Sequence, residues 1–243
     1  MRAEFALALA LPLAACGSSP DVVVGRALKA AVEGDVPRLL RDLDPSYADP
    51  LGDRAQVLRD IEDWRSRFPR RDLRTLAIDV DPLPGTRAAV DVLAHLELAF
   101  DGGIPTVRAE GPMRLSLQRD GVFRLRSGLL VEVRDVLRLL DNYRAALESQ
   151  DSATLAALLH PAYRARLRRR DEYETHLKAV LHPSRGAVVR VEPVRLHVEL
   201  RRDLVHANVH FRRVTEDSPA QLEVARWTLE RSAGRLKISS ASE

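Results

Sequence analysis

The sequence predicts an α+β fold made of two tandem domains, and three observations support this prediction. One pattern occurs twice in the 243 residues, with the copies about 116 positions apart. Each copy begins with apolar residues at spacings of three and four, which places them on one face of a helix. Each copy then continues with stretches in which apolar and polar residues alternate, as they do in strands that bury one face.

The repeat is most regular around the second helix of each copy. A constant offset of 116 residues relates Leu39 to Leu155, Leu43 to Leu159, Pro45 to Pro161 and Tyr47 to Tyr163. Self-similarity over about 100 residues indicates a duplicated domain rather than a solenoid of short units. We therefore predict a first domain over residues 21–130 and a second over residues 131–243.

Three helices are predicted at the start of each copy. In the first copy Gly34 ends one helix, Asp35 caps the next and Pro45 stops it. The helices of the first copy are expected over residues 21–33, 35–44 and 53–68. Those of the second copy are expected over residues 131–149, 152–159 and 170–181.

Four strands are predicted to follow the helices in each copy. They are expected over residues 76–80, 90–100, 113–117 and 122–129, and over residues 188–200, 205–214, 222–230 and 236–239. Gly102-Gly103 ends the long strand of the first copy, and Asp120-Gly121 forms a tight hairpin turn. Pro193 marks a bulge or an edge, because proline cannot donate a ladder hydrogen bond.

The first sixteen residues carry a secretion motif. An apolar stretch from Phe5 to Leu13 follows Arg2 and is too short to span a bilayer, which takes about 20 residues. The stretch ends in Leu13-Ala14-Ala15-Cys16, and Cys16 is the only cysteine of the chain. This four-residue box resembles the lipobox of bacterial lipoproteins.

The lipoprotein resemblance implies a signal peptide over residues 1–15, a tether over residues 16–20 and fatty-acyl chains such as palmitate on Cys16. More than one acyl chain would make the attachment firm. Gly17, where the inner-membrane retention pattern has Asp, favours the outer membrane over the inner. The resemblance therefore implies a lipid-anchored protein of the cell envelope with its domains in the periplasm.

The body of the chain resembles the nuclear-transport-factor-2-like superfamily, which includes polyketide-cyclase-like proteins. The segments that carry the resemblance are Lys29–Glu33, Arg144–Glu148, Asp44-Pro45-Ser46-Tyr47 and His160-Pro161-Ala162-Tyr163. It implies two cone-shaped domains, each with three N-terminal helices packed on a curved antiparallel sheet and a pocket at the wide end. Such a fold hosts enzymes, binders and assembly modules, so it does not define a function.

The inward positions of the long strands carry no acid or base. They are Val90, Val92, Ala94, Leu96, Leu98 and Phe100 in the first copy and Val205, Ala207, Val209 and Phe211 in the second. General acid–base catalysis requires a positioned titratable group. We therefore predict a non-catalytic envelope module that binds a ligand or assembles with a protein. The alternative is a small hydrolase-, isomerase- or cyclase-type enzyme that acts on an apolar substrate in one of the cone pockets.

Tyr47 and Tyr163 recur at equivalent places after the second helix of each copy. A tyrosine in such a place buries its ring and needs a partner for its hydroxyl. The favoured interpretation is that both rings pack the helix end against the sheet. The alternative is that their hydroxyls face a ligand.

A polar stripe is predicted on the outward face of the second sheet. A turn at Arg202-Asp203 sets a register that places Glu199 opposite His206. The stripe consists of His197, Glu199, His206 and His210. A functional interpretation is that the stripe is a metal site or a pH-responsive contact. The alternative is that it is a solvated sheet face or a polar domain interface. This alternative is favoured, because no helical His pair or further cysteine supports a metal, and no metal or cofactor is predicted.

A cluster of arginines lies in or beside the loop after the second helix of the second copy. Its members are Arg164, Arg166, Arg168, Arg169 and Arg170. Guanidinium groups suit phosphate and carboxylate, so anionic headgroups are one predicted contact. A solvated face, partly neutralised by nearby acids, is the favoured alternative.

The predicted partners follow from the anchor and from the charge. The net charge of +3 is too small to indicate nucleic acid. The lipid bilayer is a predicted partner through the acyl chains of Cys16. The second predicted partner is an envelope protein or a small apolar ligand.

Overall fold

The computed structural model describes residues 18–82, 88–161, 190–215 and 218–242. Within these ranges the chain forms five helices, a short two-stranded ladder and one large mixed sheet. The predicted α+β class is therefore confirmed.

Five helices are described, and the residues at some of their ends favour such positions. They are α1 (Pro20–Glu33), α2 (Val36–Asp42), α3 (Arg54–Arg67), α4 (Val131–Glu148) and α5 (Ser152–Ala157). Gly34 ends α1 with a left-handed φ of 70°, where a glycine has no Cβ penalty. The Asp35 side chain caps α2 by accepting a hydrogen bond from the Arg38 N–H at 3.0 Å. The helix predicted over residues 170–181 lies outside the described residues.

The strands follow the helices in both halves of the chain, where the first half is the part up to residue 130 and the second half begins with α4 at Val131. A short ladder between α2 and α3 pairs β1 (Ala48–Asp49) with β2 (Gly52–Asp53). The large sheet contains β3 (Arg70–Pro82), β4 (Ala89–Asp101), β5 (Thr106–Asp120), β6 (Val122–Ser127), β7 (Arg190–Leu200), β8 (Val205–Thr215), β9 (Ser218–Ser232) and β10 (Arg235–Ser242). The hairpin turn at Asp120-Gly121 and the bulge beside Pro193 lie where they were predicted.

The large sheet is continuous across both halves. Its strand order is β10-β9-β8-β7-β5-β4-β3, and β6 pairs with the end of β5. Residues Thr106–Glu110 of β5 pair in parallel with Arg195–Glu199 of β7, whereas Ser116–Asp120 of β5 pair with β6. Strand β5 therefore joins two antiparallel runs, β3–β6 and β7–β10, edge to edge.

This junction differs from the two separate antiparallel sheets that the sequence predicts. Strand β5 begins at Thr106 instead of residue 113, and its first residues pair with β4 on one side and in parallel with β7 on the other. Gly111 permits the close approach: its φ is 120°, and an added Cβ would lie 2.2 Å from the carbonyl oxygen of Leu200. Strand β3 is also longer than predicted, with 13 residues. It lies at the sheet edge with most side chains exposed, so it shows little apolar alternation.

One apolar core fills the space between the inward sheet face and the helices. The ten inward strand positions predicted from alternation are buried, none more than 8% exposed. Helix α1 packs on β3, β4 and β6, while α4 packs on β7 and β10. The core cluster extends without a break from Val23 in α1 to Ile238 in β10. The two halves therefore share one core.

The two copies of the repeat make the same backbone contact. Leu43 forms an isolated parallel bridge with Leu125, and Leu159, 116 residues later, forms one with Ile238. The residue after each leucine donates its N–H to the carbonyl of that leucine's bridge partner. Asp44 donates to Leu125 at 2.8 Å, and His160 donates to Ile238 at 2.9 Å. The repeat in the sequence thus has a counterpart in the backbone.

Candidate functional site

A buried ionic network lies where the loop between α2 and α3 meets α4. Arg134, in the first turn of α4, has a fully buried side chain. It donates hydrogen bonds to Asp49 at 2.6 Å and to Asp60 at 2.7 Å. Arg138, one turn later, donates to Asp60 at 2.6 Å. Two arginines of one helix therefore hold two carboxylates that precede them by more than 70 residues.

Tyr47 is buried in this network and is 2% exposed. Its hydroxyl donates to Asp49 at 2.7 Å and accepts from the Leu129 N–H at 3.1 Å. Burial, together with the adjacent Asp49 charge, raises the pKa of Tyr47 above its ordinary value, so the phenol stays protonated. These contacts suit the packing role that the sequence favours. Ligand contact by Tyr47 stays a prediction.

The charges of the network stabilise one another. Burial opposes ionisation of Asp60, but the Arg138 hydrogen bond and the Arg134 charge outweigh it and lower the pKa of Asp60. Burial likewise opposes the charge of Arg134, but Asp49, Tyr47 and Asp60 together outweigh it, and the pKa of Arg134 is raised. Because both carboxylates accept from guanidinium groups, neither is a spare base for proton abstraction.

One feature of the sequence indicates the network. Arg134 interrupts the buried face of α4, where Val133 and Val136 are among its neighbours. A cation on a buried helix face requires an anionic partner. That requirement indicates a buried acid somewhere in the chain, but spacing cannot identify Asp49, which lies 85 residues earlier.

Two further buried acids lie in ion pairs of their own. Asp42, which is 2% exposed, accepts from the Arg26 guanidinium, with one contact at 2.8 Å. Asp135, which is 1% exposed, accepts from Arg235 at 2.9 Å and from the Leu236 N–H at 2.7 Å. These pairs attach α1 to α2 and α4 to β10.

The predicted polar stripe lies on the outward sheet face with the predicted register. Glu199 pairs with His206, and His197 pairs with Asn208. The parallel junction adds Glu110, whose Oε1 lies 3.4 Å from Nε2 of His197. The junction therefore brings a glutamate of the first half beside a histidine of the second, which the sequence did not indicate.

The members of the stripe contact neighbours on the same face. Glu199 pairs with Arg201 at 2.8 Å, and His206 Nδ1 lies 3.3 Å from the Thr228 hydroxyl. His210 is half-buried and pairs with Arg195 of β7. Across the described ranges, no group of three or more His, Cys, Asp or Glu side chains could hold a metal ion.

Several predicted residues lie outside the described ranges. They are Cys16, Tyr163, Arg164, Arg166, Arg168, Arg169 and Arg170. Their predicted roles in lipid attachment, ligand contact and headgroup contact therefore stay predictions. None of the described helices combines the length and the apolar character needed to cross a bilayer.

A cleft of about 610 Å³ opens between the two halves. From the first half it is lined by outward-facing residues of β4 and β5, including Arg114. From the second half it is lined by residues 201–204 of the β7–β8 turn, by the first residue of β8 and by the start of α4, including Glu132. Sequence reasoning missed this cleft, because it exists only where the β5–β7 junction brings the halves together.

Comparison with known proteins gives distant likenesses. No protein-family model matches the chain, and no curated protein matches it. A solved structure from Bdellovibrio bacteriovorus is similar over 44% of this chain, at 9% identity and a TM-score of 0.39. The match spans only 38% of that protein's length.

Two other similar structures have descriptive names. A candidate scytalone dehydratase from Novosphingobium aromaticivorans is 12% identical over 44% of this chain and 77% of its own, with a TM-score of 0.38. An Ntf2-like protein involved in plasmid conjugation is 7% identical over 90% of this chain and 93% of its own, with a TM-score of 0.33. At this level of similarity their names carry no information on what this chain binds or does.

Proposed function

We propose that the protein is a non-catalytic module of the cell envelope, anchored by acyl chains on Cys16, that binds a ligand or assembles with another protein. The observation that carries the non-catalytic part is the pairing of the buried acids. Among the described residues, Asp42, Asp49 and Asp135 each accept hydrogen bonds from an arginine. The inward strand positions are apolar. An acid held by a guanidinium is a poor general base, since the pairing stabilises its charged form.

The proposal includes two tandem nuclear-transport-factor-2-like domains. The equivalent bridges of Leu43 and Leu159 support a duplication. Each half also places four strands in an antiparallel run after its helices. In this arrangement the β5–β7 pairing joins the two copies at their sheet edges, so that they act as one body.

The proposed envelope location rests on the four-residue box that ends at Cys16. Helix α1 begins at Pro20, so the folded body starts four residues after the cysteine. A tether of this length spans at most about 14 Å when extended. Acylation of Cys16 would therefore keep the body close to the headgroups, and we propose the periplasmic side of the outer membrane.

Metabolic labelling with an alkyne fatty acid tests the anchor. We expect label on the natural chain and none on the Cys16→Ser chain, because the sequence has no other cysteine. The labelled chain should be recovered with the outer-membrane fraction. Equal labelling of both chains, or a natural chain that is unlabelled and soluble in the cytosol, would contradict the proposal.

A further inference from the structure

We infer that the cleft between the two halves binds an amphipathic anion, meaning a ligand with an apolar body and one carboxylate or phosphate group. The inference rests on the proposed ligand-binding role and adds its location and its ligand chemistry. It is carried by Arg114 and Arg202, two arginines that line the cleft without an acidic partner among the described residues.

The charge of the cleft is positive. Its charged lining consists of Arg114, Arg201, Arg202, Arg231, Glu132 and Asp203, a formal charge of +2. Arg201 is already paired with Glu199 at 2.8 Å, and Arg231 with Glu132, also at 2.8 Å. The arginines that remain are Arg114 and Arg202, and together with Asp203 they leave a net charge of +1 for a ligand.

Each half of the chain supplies one of these two arginines. Arg114 belongs to β5, and Arg202 belongs to the turn between β7 and β8. A guanidinium presents its N–H donors in a planar fork that matches carboxylate and phosphate oxygens. Fields of one sign are focused in a cleft with low-dielectric walls, which raises the local concentration of the opposite charge. An anion held by both arginines would connect the two halves.

The uncharged lining of the cleft is largely apolar. Its half-buried members are Leu93, Pro112 and Leu204, and the buried Val131, Val205 and Leu236 lie beside them. An inorganic anion alone would leave this surface wet, whereas an apolar ligand body would bury it. The cleft volume also lies within the range of about 300–1,000 Å³ that is typical of small-molecule sites.

The fold itself builds one border of the cleft. Gly128 has a φ of 94°, and an added Cβ there would lie 2.2 Å from the carbonyl oxygen of Arg114. The chain therefore crosses close to β5 and brings the start of α4, with Glu132, into the cleft.

Isothermal titration calorimetry on the full chain with Cys16→Ser, which removes the acyl chains, tests the inference. The probes are octanoate, octyl phosphate and octanol, which share an eight-carbon body and differ in their head groups. We expect at least one anion to bind, and octanol to bind at least about tenfold more weakly. The ranking of the two anions then identifies the preferred head group.

Matched variants locate the site. Arg114→Gln and Arg202→Gln should each weaken anion binding by about tenfold, because each removes a charged hydrogen-bond donor. Arg41→Gln removes an exposed arginine of α2 that does not line the cleft, and it should leave the affinity unchanged.

The outcomes separate this inference from the proposed function. Equal affinity of the Arg114→Gln and Arg41→Gln chains, or equal binding of octanol and octanoate, would overturn the site or its chemistry while a ligand-binding role remained. Absence of binding by all three probes would overturn the inference. The anchor would still be decided separately by the labelling of Cys16.

Discussion

Arg134 of α4 donates a 2.6 Å hydrogen bond to Asp49, and both side chains are fully buried although 85 residues separate them in the chain. The bond connects strand β1 of the first half to the first helix of the second. Asp60 accepts from the same guanidinium at 2.7 Å, which places α3 in the same contact. The two halves are therefore coupled by buried charge as well as by their shared sheet.

Removal of the Arg134 guanidinium should destabilise the whole chain. Arg134→Met keeps much of the side-chain volume but leaves Asp49 buried without its cation. Breaking a buried ion pair in this way costs about 3–5 kcal/mol. Urea unfolding would measure the loss of free energy of unfolding. Arg41→Met, a change at an exposed arginine, is the control, and equal stability of the two variants would show that the network contributes nothing.

The Tyr47 hydroxyl should contribute to stability through two hydrogen bonds. Tyr47→Phe keeps the ring but removes the donor to Asp49 and the acceptor for the Leu129 N–H. Leaving these buried groups unpaired should lower the free energy of unfolding by about 1–3 kcal/mol. Thermal unfolding followed by circular dichroism would detect the change. If the variant were as stable as the natural chain, the hydroxyl would have no structural role, and the ligand contact that the sequence also allows would be favoured.

Local sequence patterns predicted much of the fold, whereas they could not predict the contacts between segments that are distant in the chain. The alternation of β4 and the turn at Arg202-Asp203 identified buried faces and the β7–β8 register, because each depends on neighbouring residues. The parallel pairing of β5 with β7 depends on two strands that meet only after folding. Gly111 resembles any glycine within a strand until Leu200 is placed against it. The buried ionic network of Arg134, Asp49 and Asp60 could not be predicted for the same reason.

The acid limb of the stability profile should report Asp60. Its folded pKa is lowered, although burial opposes this, because Arg138 and Arg134 stabilise the carboxylate. A carboxyl group of this kind stabilises the fold fully above its unfolded pKa of about 3.9, and the contribution is lost as the pH falls through the folded pKa. The free energy of unfolding should therefore fall on acidification below about pH 4.

Substitution of that carboxylate isolates its share of the acid sensitivity. Asp60→Asn should be less stable than the natural chain at pH 7 and should lose less stability between pH 6 and pH 3. Asp63→Asn, at an exposed position of the same helix, should keep the natural profile. Urea unfolding across this pH range would measure both, and parallel profiles for the natural and Asp60→Asn chains would count against the ionic role.

The junction of the two halves should be sensitive to a single methyl group at Gly111. In Gly111→Ala the new Cβ would lie 2.2 Å from the Leu200 carbonyl oxygen, so the two strands must separate. Gly121→Ala is the matched control, since Gly121 also has a positive φ, of 70°, but has open space around it. The first variant should lose at least about 1–3 kcal/mol more stability than the second, because the overpacking against Leu200 adds to a backbone strain that is itself greater at a φ of 120° than at 70°. Hydrogen exchange should show faster exchange of the β5 amides over residues 106–110 in Gly111→Ala alone. If both variants were equally stable and protected, the halves would not depend on this pairing.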